Sequence, residues 1–242
     1  MTNTTPDLGT FKWPYPKVPP QQSFIGVETT SSLIVVEGLD GSGKSTFSKK
    51  LAKAFNDADK DVVVGNFIQQ DYIKEILLKT KYENVEPYSF MLMYALGLVH
   101  FFSSTVMPAL LNNKIVILDR YCYTVLTKGA VHGINIEWLK DVLRILRNPD
   151  QIVYMDTPVE TCFQRKTKTE RILSYWECGC DLFGEKHGAR EKYCEELYKE
   201  SFLKYQSLID VAYRSCLPPN SKYCNINNEN ECIQSILSIA MC

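Results

Sequence analysis

No sign of charge prevails in these 242 residues: 27 Lys and Arg stand against 28 Asp and Glu, a formal net charge of −1. A protein built to hold nucleic acid is broadly basic, so a polymeric anion is not an expected partner. A small anion held by a few local cations fits such a balance. No basic segment followed by an apolar stretch opens the chain, so a secretory leader is not expected. The most apolar run, 90–102, is interrupted by Gly97 and His100 and falls short of the roughly 20 residues of a membrane span. It reads as a buried helix, with His100 as a core histidine, and no membrane partner is expected. The nine cysteines are odd in number, spread from Cys122 to Cys242, and lack the density of a secreted disulfide framework. Reduced thiols in an intracellular, cytoplasmic protein are the expectation. Cys178, Cys180, His187 and Cys194 do not follow the spacing of a zinc finger and read as free groups.

Internal repeats are absent too, and composition is biased only at the start. Residues 1–31 hold five of the eleven prolines: Pro6, Pro14, Pro16, Pro19 and Pro20. Proline fixes φ and lacks the backbone donor, so this stretch is expected to be a poorly ordered arm. A single domain over 32–242 follows. Within it, short β-branched runs at 33–37, 61–64, 115–118, 151–155 and 222–226 alternate with helical patterns at 44–56, 72–81, 87–112, 136–147, 159–168, 190–215 and 229–241. Strand and helix in alternation imply parallel strands joined by right-handed crossovers. Uninterrupted apolar strands imply helices on both faces. The expected fold is therefore α/β: three layers, with a five-stranded parallel sheet in the middle. Ligands of such sheets sit at the carboxyl ends of the strands, after Glu37, Val64, Leu118 and Met155.

The first strand runs into Gly38-Leu39-Asp40-Gly41-Ser42-Gly43-Lys44-Ser45, a full G-x-x-x-x-G-K-[ST] pattern, with Thr46 and a helix behind it. Glycines let the backbone N–H groups converge on phosphate oxygens, and the helix N-terminus adds to that field. Lys44 brings a charge to the β- and γ-phosphates of ATP, and the Ser45 hydroxyl is a ligand for Mg²⁺. The third strand closes on Asp119-Arg120-Tyr121. A carboxylate there suits the metal side of a nucleotide site, although an acid at a strand end also caps a following helix. Arg120 offers a bidentate grip on a second phosphate. After the fourth strand come Arg165, Lys166, Lys168 and Arg171, either a solvated face or a lid over transferring phosphate.

Together, the loop from Glu37 to Thr46, the Asp119-Arg120-Tyr121 run with Thr124 and Gly129 behind it, the basic segment from Arg165 to Arg171 and the stretch 107–111 resemble the thymidylate kinase family. The resemblance covers roughly 32–242 and implies a P-loop NTPase fold with a short helical lid. It implies transfer of the ATP γ-phosphoryl group to a pyrimidine nucleoside 5′-monophosphate, dTMP first among the acceptors. Asp40 would meet the acceptor sugar, Arg120 the acceptor phosphate, Asp119 the metal, and Arg165 and Arg171 the moving phosphoryl group. The family often forms homodimers, and helix 90–102 is one candidate surface.

Many members carry an arginine in the long helix lining the acceptor pocket. Here that segment reads 94–100 without one, and the loop 65–71 has none either. The Ala95-Leu96-Gly97 stretch is similar to mitochondrial-type UMP–CMP kinases, so the acceptor stays open. Phe67 is a candidate to stack on the base or to fill the core, and Thr124, Gln69 or Gln70 to meet the base edge. A deoxynucleoside kinase would need a carboxylate base near the second strand, where Asp71 is the nearest acid. A degenerate nucleotide-binding protein would fit the missing arginine but not the intact Lys44, Ser45, Asp119 and Arg120.

Overall fold

The computed structural model describes residues 29–80, 85–169, 173, 176–179, 182–183 and 195–240. Nearly all of the proline-rich arm lies outside these, as do Arg171, Cys180, His187 and Cys194. Strands β1 (Leu33–Gly38), β2 (Val62–Gly65), β3 (Ile115–Asp119), β4 (Gln151–Met155) and β5 (Lys222–Cys224) form one sheet in the order β2-β3-β1-β4-β5. Every pairing is parallel, as the alternation of strand and helix predicts. The helices are α1 (Lys44–Asn56), α2 (Asp71–Thr80), α3 (Pro87–Phe101), α4 (Met107–Leu111), α5 (Cys122–Val131), α6 (Ile136–Leu143), α7 (Val159–Thr169), α8 (Glu195–Cys216) and α9 (Glu229–Ala240).

All six residues of β1 are buried, because the strand sits mid-sheet with helices on both sides. Side chains alternate along a strand. Leu33 and Val35 join Met91, Leu98, Phe101 and Val125 on one face. Ile34 and Val36 join Phe47, Leu51, Ile233 and Ile236 on the other. Tyr154 of β4 anchors a third cluster with Phe202 and Tyr205 of α8. The chain leaves β1 toward β2 and β3 on one side and later returns to β4 on the other, so the sheet splits its connections at the end of β1. Ligand crevices open at such a switch point.

The apolar run is longer than its composition suggests. α3 continues through a π-helical segment, Phe102–Val106, into α4. Pro108 has no N–H for the carbonyl four residues back, and widening the turn is one way for a helix to pass a proline. The resulting helix, Pro87–Leu111, spans 25 residues and is long and apolar enough to cross a membrane by length and composition alone. Its inner face, with Phe90, Met91, Leu98 and Phe101, is packed into the core. His100 stands on the exposed side, not in the core.

Local sequence also misses α5, where Thr124, Val125, Thr127 and Gly129 all depress helix propensity. Its cap comes from afar: the Glu37 carboxylate at the end of β1 accepts the N–H groups of Tyr121 (2.8 Å) and Thr124 (3.1 Å). A negative charge at a helix N-terminus satisfies orphan donors and opposes the helix dipole. β5 stops at Cys224 because the Asn225 N–H turns to the Asn228 side chain at 2.7 Å.

Candidate active site

The loop between β1 and α1 is held by close packing. Gly41 (φ +89°) and Gly43 (φ +100°) occupy the left-handed region. A Cβ on Gly41 would lie 2.5 Å from the Cys162 carbonyl oxygen, so only glycine lets α7 lie against the loop. Lys44 is buried and donates to the carbonyls of Gly38 (3.0 Å) and Leu39 (2.6 Å). Burial and the nearby Arg120 push its pKa down to about 8. A phosphate in the loop would offer that ammonium a full negative charge in place of two carbonyl dipoles.

At the start of α1 the Ser45 hydroxyl donates to Oδ2 of Asp119. Oδ1 of Asp119 is buried and has no hydrogen-bond partner. A buried carboxylate oxygen left without a donor beside a serine hydroxyl is a donor set for a hard divalent cation. The residues present therefore fit Mg²⁺. Among the described residues no group of three or more His, Cys, Asp or Glu could hold a metal. A cation here would need the phosphate oxygens of a nucleotide to complete its shell.

Arg120 has φ +79°, a strained conformation for a residue with a side chain, and its N–H donates to the Val36 carbonyl at 3.0 Å. The turn sends its guanidinium back to the loop, where Nη2 donates to Asp40. Lys128 faces the other oxygen of Asp40 at 3.8 Å. Burial would raise the Asp40 carboxyl, but Arg120, Lys128 and Lys44 hold it well below the ordinary carboxylate range. Behind this group Glu37 is fully buried. It also accepts from the hydroxyls of Thr124 (2.7 Å) and Tyr213 (2.9 Å). Burial raises its pKa against the pull of these donors.

From α7, Nη1 of Arg165 donates to the Ser42 carbonyl at 3.1 Å, and the Thr157 hydroxyl donates to the same oxygen at 3.0 Å. Lys166 pairs with Glu177 at 2.8 Å. The expected lid cation Arg171 lies outside the described residues.

Two clefts flank the loop. One, of about 550 Å³, is lined by Asp40, Arg120, Lys128, Tyr94, Phe90 and Trp176 among others. The other, of about 840 Å³, is lined by residues after β4, after β5 and on α8, including Asp156, Asn225 and Arg214. Gly43, Thr46 and Arg165 line both.

Two expected contacts are corrected. Phe67 is 1% exposed and packs edge-on against Tyr94 at 5.9 Å, in the core and off the cleft wall. Its ring is drawn inward because Asn66 caps the short 3₁₀ turn Phe67–Gln69 and points it at α3. Thr124 is likewise fully buried and serves Glu37 and Tyr213 rather than a base edge. Gln69 does line the first cleft. Sequence reasoning missed Tyr94, Trp176 and Lys128. Trp176 stacks on Phe90 at 4.0 Å, a pairing across 86 residues that no local pattern signals. Lys128 lies one helical turn beyond Thr124 on α5, a spacing legible only once that helix is known.

The family model for thymidylate kinase matches residues 36–204. A probable thymidylate kinase 2 of Saccharolobus solfataricus is 28% identical over 196 residues, covering 81% of this chain and 87% of that protein. A probable thymidylate kinase of Thermococcus onnurineus is 32% identical over 157 residues, 57% of this chain and 76% of that protein. A thymidylate kinase of Pelodictyon phaeoclathratiforme is 31% identical over 152 residues, 59% and 70% of the two chains. The matched span runs from the end of β1 into α8 and takes in the phosphate loop, the Asp119-Arg120 turn and α7, so the chain belongs to the thymidylate kinase family.

Proposed function

We propose that the protein is an ATP-dependent nucleoside monophosphate kinase that moves the γ-phosphoryl group of ATP to a pyrimidine nucleoside 5′-monophosphate, with dTMP as the acceptor. One observation carries this reading: two clefts meet at a single phosphate loop, with Arg165 on the wall of both. A hydrolase needs one nucleotide and water. A transferase between two nucleotides needs two clefts that meet where the phosphoryl group passes. The names of the relatives support dTMP.

On this reading ATP lies along Gly38, Leu39, Asp40, Gly41, Ser42, Gly43, Lys44, Ser45 and Thr46, with its base in the larger cleft. The acceptor base lies among Tyr94, Phe90 and Trp176, and Arg120 takes the acceptor phosphate. Asp40 fixes the Arg120 guanidinium and is the carboxylate available to a sugar hydroxyl. The attacking atom is already an anionic phosphate oxygen, so no general base is required. Catalysis is positioning plus charge neutralisation by Lys44, Arg165 and, by resemblance, Arg171. Mg²⁺, held by Ser45 and Asp119, would neutralise charge on the donor phosphates when bound. A catalytic domain over 32–242 after an arm at 1–31, a cytoplasmic setting and no nucleic-acid or membrane partner complete the reading. So does self-association through α3, where Leu92 and Leu96 are 45% and 58% exposed.

The test is a coupled ADP-release assay with ATP, Mg²⁺ and each of dTMP, dUMP, dCMP, UMP, CMP, AMP and GMP. Turnover fastest with dTMP supports the proposal. ADP release indifferent to every acceptor contradicts it.

A further inference from the structure

Two thiols meet behind the wall of the larger cleft. Cys224 closes β5 and is fully buried, and Cys232 lies in the first turn of α9 with 8% exposed. A run of asparagines folds the chain back between them. The Asn225 N–H donates to the Asn228 side chain at 2.7 Å, the Asn227 N–H to the Asn225 side chain at 2.9 Å, and the Asn228 amide to the Tyr223 carbonyl at 3.1 Å. The Cys232 N–H then donates to the Asn228 carbonyl at 2.9 Å, which starts α9 beside the end of β5. Both side chains enter the core cluster of Phe47, Leu51 and Ile236, where the two thiols, neither of them in a disulfide, hydrogen-bond each other.

Buried thiols are as a rule inert and pack as small hydrophobes. Cys122 and Cys162 fit that pattern, since burial pushes both thiols up. Cys232 departs from it. The hydrogen bond from Cys224, aided by Lys222, pulls its thiol below the usual range against the effect of burial. The N-terminal end of a helix favours a thiolate as well. Cys232 is thus the nucleophile of the pair, with Cys224 as a partner already in contact. The loop between them carries the cleft wall: Asn225, Ile226, Asn227 and Glu229 all line the larger cleft. The Cys224 carbonyl accepts the N–H of Asp156, another wall residue, at 2.7 Å.

We propose that Cys224 and Cys232 are a thiol–disulfide site, and that its oxidation by hydrogen peroxide shifts the wall of the larger cleft. The Cys232 thiolate attacks one peroxide oxygen, the O–O bond breaks, and hydroxide leaves a sulfenic acid behind. The Cys224 sulfur then attacks the sulfenic sulfur, the S–O bond breaks and the S–S bond forms. In sum the two thiols give up two electrons and two protons, and one peroxide becomes two waters. A covalent bond draws the sulfurs closer than a hydrogen bond leaves them, so the end of β5 and the start of α9 move together. Asn225 to Glu229 move with them. The bond stands on the pair alone, whereas its effect on ATP rests on the kinase reading above.

The test treats the full chain with hydrogen peroxide, caps the remaining thiols and maps the peptides by mass spectrometry. Cleavage after Glu229 or Glu231 separates the two cysteines unless they are bonded. The expected product is that pair of peptides joined through Cys224 and Cys232, two hydrogens lighter than the reduced pair and parted by dithiothreitol. ATP affinity, measured by calorimetry, should fall roughly 3- to 10-fold on oxidation and return on reduction, while dTMP affinity stays within about twofold. Cys232→Ser should bind ATP as the reduced wild type does and lose the response to peroxide. No bond between Cys224 and Cys232, or a bond from either to another cysteine such as Cys242, overturns the site. A bond with ATP affinity unchanged overturns its effect on the cleft. A reduced protein that binds no ATP overturns the kinase reading and that effect with it, while the peptide map still decides the bond. The map uses wild-type protein alone, so it decides even if a serine in this core prevents folding.

Discussion

The Ser45 hydroxyl donates to the Asp119 carboxylate across 74 residues of chain, joining the start of α1 to the end of β3. The contact leaves the second oxygen of Asp119 buried and unpartnered. That pairing joins the two groups proposed to hold Mg²⁺. Asp119→Asn keeps the shape and removes the charge. It should fold normally and lower kcat on the order of 10²- to 10³-fold, with little effect on dTMP binding. Chelation of divalent metal should abolish turnover in the wild type. Full activity in EDTA would refute the metal assignment.

Gly41 and Gly133 separate crowding from backbone strain. Both have positive φ, +89° and +70°. A methyl group on Gly41 meets the Cys162 carbonyl at 2.5 Å, whereas on Gly133 it meets nothing within 4 Å. Gly133→Ala should cost about 1–2 kcal/mol of stability and leave catalysis unchanged. Gly41→Ala must push α7 and Arg165 off the loop, so its KM for ATP should rise as well. Thermal melts and KM for ATP on the two variants check this contrast.

Glu37 and Tyr213 test the support beneath Arg120. The carboxylate accepts from two backbone N–H groups and two hydroxyls, and the Tyr213 phenol also meets the Thr124 hydroxyl at 2.9 Å. Glu37→Gln turns one acceptor into a donor among donors and should cost about 1–3 kcal/mol. Tyr213→Phe should cost less. Because both act in one network, the double variant should lose less than the sum of the two. Strict additivity in denaturant melts would show the network to be decorative.

Asp40 supplies a pH signature. Its folded pKa lies well below the ordinary 3.8, so the unfolded state takes up the proton first on acidification. The stability it contributes is full above pH 3.8 and is lost as pH falls through the lower, folded value. Asp40→Asn lacks that contribution and removes the carboxylate that Arg120 and Lys128 share, a loss of about 3–5 kcal/mol. The gap in stability between wild type and variant should be flat from about pH 7 to pH 5 and narrow only in stronger acid. A gap that closes between pH 7 and 5 would mean that the carboxylate is not held by Arg120 and Lys128.

Features set by adjacent residues were legible in the sequence. The strand bounds of β4 and the helix bounds of α1 emerge as expected, and Lys44, Ser45, Asp119, Arg120 and Arg165 converge on the loop. What stayed hidden depends on contacts distant in sequence. α5 is capped by a carboxylate 84 residues upstream, so its own β-branched residues and glycine disguise it. Thr124 points to Glu37 and Phe67 to the core because tertiary packing claims both. Lys128 and Trp176 reach the cleft only through elements whose placement the pattern does not reveal.

The most direct measurement is ADP release with ATP and Mg²⁺ in the presence of dTMP and, separately, thymidine. On the proposed reading Arg120, fixed by Asp40, takes the acceptor phosphate, so dTMP should be phosphorylated and thymidine should not. Turnover of thymidine without turnover of dTMP would contradict the account.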